Sequence, residues 1–109
     1  LVHTNHYLHP TMISIEDESD ELISTRVRYF RALRLLRETD SHSVESLQSI
    51  LSDHINYPDS ICNHDMGAGN RMDREKTVTS LVMDMTERAM YATWGTPCQN
   101  SYHRYQLNA

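Results

Sequence analysis

The hydrophobic and polar positions divide the chain into a short extended start, two helical stretches and a β-rich second half. Residues 2–8 read as a strand with Pro10 as its stop, because proline ends a ladder. His3, Asn5, Tyr7 and His9 then share one face, and Val2, Thr4, His6 and Leu8 the other. The acidic run from Glu16 to Glu21 leads into a helix reaching Glu38. Carboxylates at its start and arginines at 26, 28, 31, 34 and 37 suit the helix dipole. Ser43 is the expected N-cap of a second helix with Leu47, Ile50 and Leu51 as its apolar stripe. Asn56-Tyr57-Pro58-Asp59 breaks that helix, Ile61 to His64 reads as a short strand, and residues 66–75 read as a polar loop. Two β-favouring runs, 77–85 and 88–94, flank Thr86-Glu87 and predict a hairpin. The link lacks the Asn-Gly or Gly-X chemistry of tight primed turns, so a three- or four-residue loop taking in Met85 or Arg88 fits equally. The tail through Leu107 is expected to be extended or irregular.

The chain has 109 residues, enough for one domain or for the C-terminal segment of a larger one. Apolar content of 39% is low for an independent core. A formal charge of −5 argues against nucleic acid, which wants a basic footprint. No apolar stretch approaches the roughly 20 residues that span a bilayer, and no signal peptide opens the chain, so a cytoplasmic location and no membrane partner are expected. The start at Leu1 without Met reads as a processed or truncated product. Cys62 and Cys98 are too few for a disulfide framework and are read as reduced thiols.

Two residues stand out chemically. On the first helix, Leu22, Ile23, Tyr29, Phe30, Leu33 and Leu36 fall on one broad face, with Arg26 near its middle and Arg28 and Arg31 pointing away. Arg26 is either a packed stem whose head reaches water, or a cation held at a cleft for a carboxylate or thiolate. Asn5 sits mid-strand, where Asn is disfavoured. It is either an edge-strand Asn bonding nearby backbone or a fixed amide serving as an oxyanion donor. His3, His6 and His9 alternate faces on a strand and do not meet one metal. His54, His64 and Asp65 could converge, yet nothing fixes their spacing, so zinc binding stands as a third reading while no metal and no cofactor are assigned. Cys62, beside Ile61, has no helix start or flanking cation to depress its pKa and reads as buried and unreactive.

Taken in order, several stretches resemble the acyl-CoA:isopenicillin-N acyltransferase family, a branch of the N-terminal-nucleophile hydrolases, and more distantly the choloylglycine hydrolases. They are His3-Thr4-Asn5-His6, Ser24-Thr25-Arg26, Asp53-His54-Ile55-Asn56 with Ser60-Ile61-Cys62-Asn63-His64, the hairpin from Thr77 to Gly95, and Thr96-Pro97-Cys98 with Tyr102 and Tyr105. The resemblance spans most of the chain. It implies an α+β fold forming part of an αββα sandwich, an antiparallel or mixed sheet with two helices, and cleavage of linear C–N amide bonds. Members of the family mature by autoproteolysis that exposes a Cys whose own α-amine is the base. Residue 1 here is Leu, and neither cysteine is N-terminal, so the nucleophile is absent from the chain. By resemblance, Asn5 matches the oxyanion-hole position and Arg26 the helix arginine that steadies the thiolate. The partners implied are an upstream segment of the same precursor carrying that Cys, and a small-molecule or peptide-like amide. A half-sandwich would also leave an apolar face that favours a homo-oligomer. The alternative is a non-catalytic α+β interaction module using the hairpin edge or the Arg-rich helix.

Overall fold

A computed structural model describes residues 1–16, 20–65 and 76–108. The expected loop at 66–75 and part of the acidic run before the first long helix lie outside the described residues. The fold is α+β, with three helices followed by a three-stranded antiparallel sheet. The helices are α1 (Pro10–Ile13), α2 (Asp20–Glu38) and α3 (Val44–Leu51). The strands are β1 (Leu81–Asp84), β2 (Ala89–Ala92) and β3 (His103–Gln106), in the spatial order β1-β2-β3. Among the described residues no helix is long and apolar enough to cross a membrane.

Local chemistry accounts for these elements. Ser43 caps α3 through a capping box with Ser46, whose backbone N–H donates to the Ser43 hydroxyl while its own hydroxyl accepts from Ser43 N–H. The hairpin closes through residues 85–88, the four-residue form of the expected loop. Asp84 Oδ1 accepts from the backbone N–H groups of Thr86 and Glu87, both at 3.0 Å, and Arg88 takes φ 52° to finish the turn. The register pairs Leu81 with Ala92 and Met83 with Met90, and β3 extends the same rows through His103 and Tyr105. Beyond β2, Thr93 donates its hydroxyl to Gly95 O at 2.7 Å. Gly95 adopts φ 111°, where a side chain would be strained and its Cβ would lie 2.7 Å from the Asn100 amide.

Residues 2–8 form no strand. They run beside α2 with a bend at Asn5 and His6. The alternation read from the sequence survives without a ladder: His3, Asn5, Tyr7 and His9 are exposed, while Val2, Thr4, His6 and Leu8 are covered. The reason is that Thr4, Asn5 and His6 take their hydrogen-bond partners from Thr25 of α2 instead of a neighbouring strand. Residues 61–64 are likewise irregular, joined to the later chain by the backbone bond from Thr77 N–H to Asn63 O. Pro10–Ile13 adds a helical turn that the sequence reading did not expect, with His9 at its N-cap accepting from Thr11 N–H.

The interior is thin. Among the described residues the buried apolar side chains are Cys62, Val82 and Ala89, against six buried polar ones including His6, Thr25, Ser60 and Ser80. α3 packs on β1 and α2 packs on α3. Among the described residues, two apolar surfaces stay uncovered. Leu81, Met83 and Tyr105 form one side of the sheet, with Met83 65% exposed. Ile23, Val27 and Phe30, spaced i, i+4, i+7, form a stripe on α2 with Ile23 and Phe30 at 64% and 65% exposure. A cleft of about 420 Å³ lies where the start of the chain, α2, α3 and β1 meet, lined by Leu1, His3, Arg28, Leu36, Leu47 and Met83 among others.

Candidate functional site

The first site is built where the N-terminal segment crosses α2. Thr25 is only 2% exposed, and three groups converge on it. The Thr4 hydroxyl donates to Thr25 O at 3.0 Å, Asn5 N–H donates to Thr25 Oγ1 at 2.7 Å, and His6 Nδ1 lies 3.2 Å from that same oxygen. His6 is buried edge-on against Tyr29, its ring centroid 5.5 Å away. The segment is thus pinned on both sides of Asn5, whose side chain points outward. Arg28 Nη2 donates to Asn5 Oδ1 at 3.1 Å. Because guanidinium only donates, that contact fixes which end of the amide is oxygen. The Asn5 NH₂ group makes no hydrogen bond among the described residues. A preset amide donor therefore faces solvent at this point.

Arg26 is not in the middle of a covered face. It is exposed, and its Nη2 lies 3.8 Å from Glu16 Oε2. Glu16 also accepts from Tyr7 N–H at 3.0 Å, so Arg26 and the N-terminal segment share one carboxylate. Arg28 and Arg31, expected to point away, are the half-covered arginines. Arg28 lines the cleft, and its Nε is buried with no partner among the described residues. Arg31 makes a bidentate pair with Asp53 at 2.9 and 2.7 Å, which holds the Asp53 carboxyl below the usual range. The helix was misread because it carries two apolar stripes, and the sequence alone does not say which one the rest of the chain covers. Arg28 is the residue that sequence reasoning missed. Its signal is positional, since it lies one helical turn after Ser24-Thr25.

The second cluster begins with His54, next in sequence to the Asp53 that pairs with Arg31. Cys62 N–H donates to Asp53 O at 3.1 Å and His64 N–H to Pro58 O at 3.1 Å, closing residues 53–64 into a compact loop. That loop brings His54 Nε2 to 3.1 Å from His64 Nε2, with the Tyr57 ring packed beside both imidazoles. The turn after Gly95 carries Cys98 to the same place. His64 Nε2 lies 3.5 Å from Cys62 Sγ and 3.3 Å from Cys98 Sγ, and the two sulfurs are 3.6 Å apart. All four donor atoms lie within 4.8 Å of one another. The sequence reading assigned no metal ligand to these residues. Both thiols are free, since a disulfide needs sulfurs about 2.05 Å apart. Burial, with the Cys98 thiol beside it, pushes the Cys62 thiol up to about 11, so alone it is no nucleophile at neutral pH.

No protein-family model matches the chain, and no curated protein matches it.

Proposed function

We propose that this chain is the C-terminal segment of a cysteine-dependent N-terminal-nucleophile amidase or acyltransferase, whose nucleophile is carried by an upstream segment of the same precursor. The observation that carries the reading is Asn5: its oxygen is tied to Arg28, its backbone to Thr25, and its NH₂ is presented free. Oxyanion stabilisation requires a donor already oriented before charge develops. In the proposed reaction the upstream cysteine sulfur forms a bond to an amide carbonyl carbon. The carbonyl oxygen becomes an oxyanion and accepts from Asn5 Nδ2. The C–N bond then breaks, the leaving nitrogen takes the proton released by the thiol through the cysteine's own α-amine, and an acyl-enzyme remains. Water or an amine resolves it, giving hydrolysis or acyl transfer. Arg26, near the same segment through Glu16, is assigned by resemblance to electrostatic support of the thiolate.

The uncovered sheet face and the apolar stripe on α2 agree with this reading, because a companion layer in an αββα sandwich would cover such surfaces. They equally suit an interaction module, and catalysis separates the two. In the full translation product, Asn5→Ala should lower kcat for amide cleavage by about 10²–10³-fold, the range for losing one oxyanion donor. A rate near that of the wild type would remove Asn5 from the mechanism, and absence of amide cleavage by the wild type would favour the interaction module.

A further inference from the structure

His64 Nε2 has three close neighbours, namely His54 Nε2, Cys62 Sγ and Cys98 Sγ, at 3.1, 3.5 and 3.3 Å. An imidazole nitrogen carries either one proton or one lone pair, so it satisfies one partner and not three. A cation at the centre of the four donor atoms resolves that mismatch, because each atom then directs its lone pair inward. The distances specify which kind of cation. Zinc bonds sulfur at about 2.3 Å and histidine nitrogen at about 2.05 Å in tetrahedral sites. Such a tetrahedron has edges of about 3.8 Å between sulfurs, about 3.4 Å between nitrogens and about 3.6 Å between nitrogen and sulfur. Of the six edges here, the two from His54 Nε2 to the sulfurs lie within 4.8 Å, and the other four are 3.6 Å between sulfurs, 3.1 Å between nitrogens, and 3.5 and 3.3 Å from His64 to the two sulfurs. These four fall within roughly 0.3 Å of the zinc values.

We propose that His54, Cys62, His64 and Cys98 form a structural zinc site. Two thiolates and two neutral imidazoles neutralise a divalent ion, and a tetrahedral S₂N₂ donor set selects zinc among the common divalent metals. Four protein ligands leave no open position, so the ion holds structure and activates no water. It joins the loop after α3 to the turn after β2, and so ties the helices to the sheet. Among the described residues, the covered apolar side chains that the tie supplements are Cys62, Val82 and Ala89. The site does not depend on the amide-cleaving reading, since Asn5 and Thr25 take no part in it.

The test is metal analysis of the full translation product, purified under reductant from zinc-replete cells, with X-ray absorption at the zinc edge. The expected result is a single equivalent of zinc with two sulfurs at about 2.3 Å and two nitrogens at about 2.0 Å. Cys98→Ser and His54→Ala alter exposed side chains, so both variants should fold while zinc falls to a small fraction of an equivalent. A chelator should lower the melting temperature of the wild type and leave the variants unmoved. Protein that takes up neither zinc nor cobalt(II) would overturn the proposal. So would zinc retained at full stoichiometry by both variants, or a Cys62–Cys98 disulfide persisting under reductant.

Discussion

Replacing Thr25 by Val tests the support beneath Asn5, because the change removes a hydroxyl and keeps the shape. That hydroxyl accepts Asn5 N–H at 2.7 Å and sits 3.2 Å from His6 Nδ1, in a position only 2% exposed. A neutral hydrogen bond contributes about 0.5–1.5 kcal/mol net. Both contacts belong in the lower half of that range. Asn5 is exposed, so its N–H can turn to water, and His6 keeps the Thr4 hydroxyl at 3.1 Å. The sum is about 1–2 kcal/mol, a factor of about 5–30 in a local opening equilibrium. Amide hydrogen exchange reads that equilibrium directly. Protection of the peptide holding Asn5 and His6 should fall by about that factor in Thr25→Val. Amides of the hairpin, such as Thr93 N–H bonded to Ser80 O, should keep theirs. Thr25→Ser, which retains the hydroxyl, should keep most of the protection. Unchanged exchange at Asn5 in the Val variant, or equal loss throughout the hairpin, would refute the idea that Thr25 holds this segment locally.

Other consequences concern Arg28 and Tyr102. Arg28→Met keeps the packed stem but frees Asn5 Oδ1, so the amide rotates; kcat should drop about 10-fold with KM little altered, since a hydrogen bond to a charged group contributes about 1.5–3 kcal/mol. Partial recovery in Arg28→Lys would identify Arg28 as a positioning residue, and a fall confined to KM would contradict that role. Burial raises the Tyr102 hydroxyl above its ordinary value of 10.0 against the smaller opposing effect of its 2.6 Å contact with Ser80. The folded chain therefore holds the Tyr102 proton to higher pH than the unfolded chain does. Its contribution is full below pH 10 and is lost as pH rises from there through the raised folded value. Denaturant titrations across that alkaline limb should show a shallower decline in Tyr102→Phe, and an identical slope in both proteins would count against the assignment.

What was legible in the sequence follows how local each interaction is. The hairpin and the α3 cap were readable because Asp84, Ser43 and Ser46 act on backbone within three residues of themselves. The N-terminal segment was misassigned as a strand although its alternation is real, because its partner, Thr25, is a side chain on a helix about 20 residues away. The orientation of α2 was ambiguous for a different reason. Ile23, Val27 and Phe30 make as good an apolar stripe as the covered positions do, and only the packing against α3 decides between them. Asn5 was picked out for being unusual where it stands, whereas its partner Arg28 was not. The four-residue thiol–imidazole cluster was the least visible feature. Cys98 is 34 residues from His64, and the loop that gathers His54, Cys62 and His64 closes through a backbone bond between Asp53 and Cys62 that no residue pattern announces.

The most direct test of the central claim is the intact mass and N-terminal sequence of the full translation product after expression. The account predicts two fragments from one precursor, the new N-terminus being a cysteine upstream of Leu1, and a thioester-linked acyl adduct on that cysteine when an amide substrate is supplied. A single unprocessed chain that cleaves no amide would contradict it, and Asn5 would then be a surface amide on an interaction module.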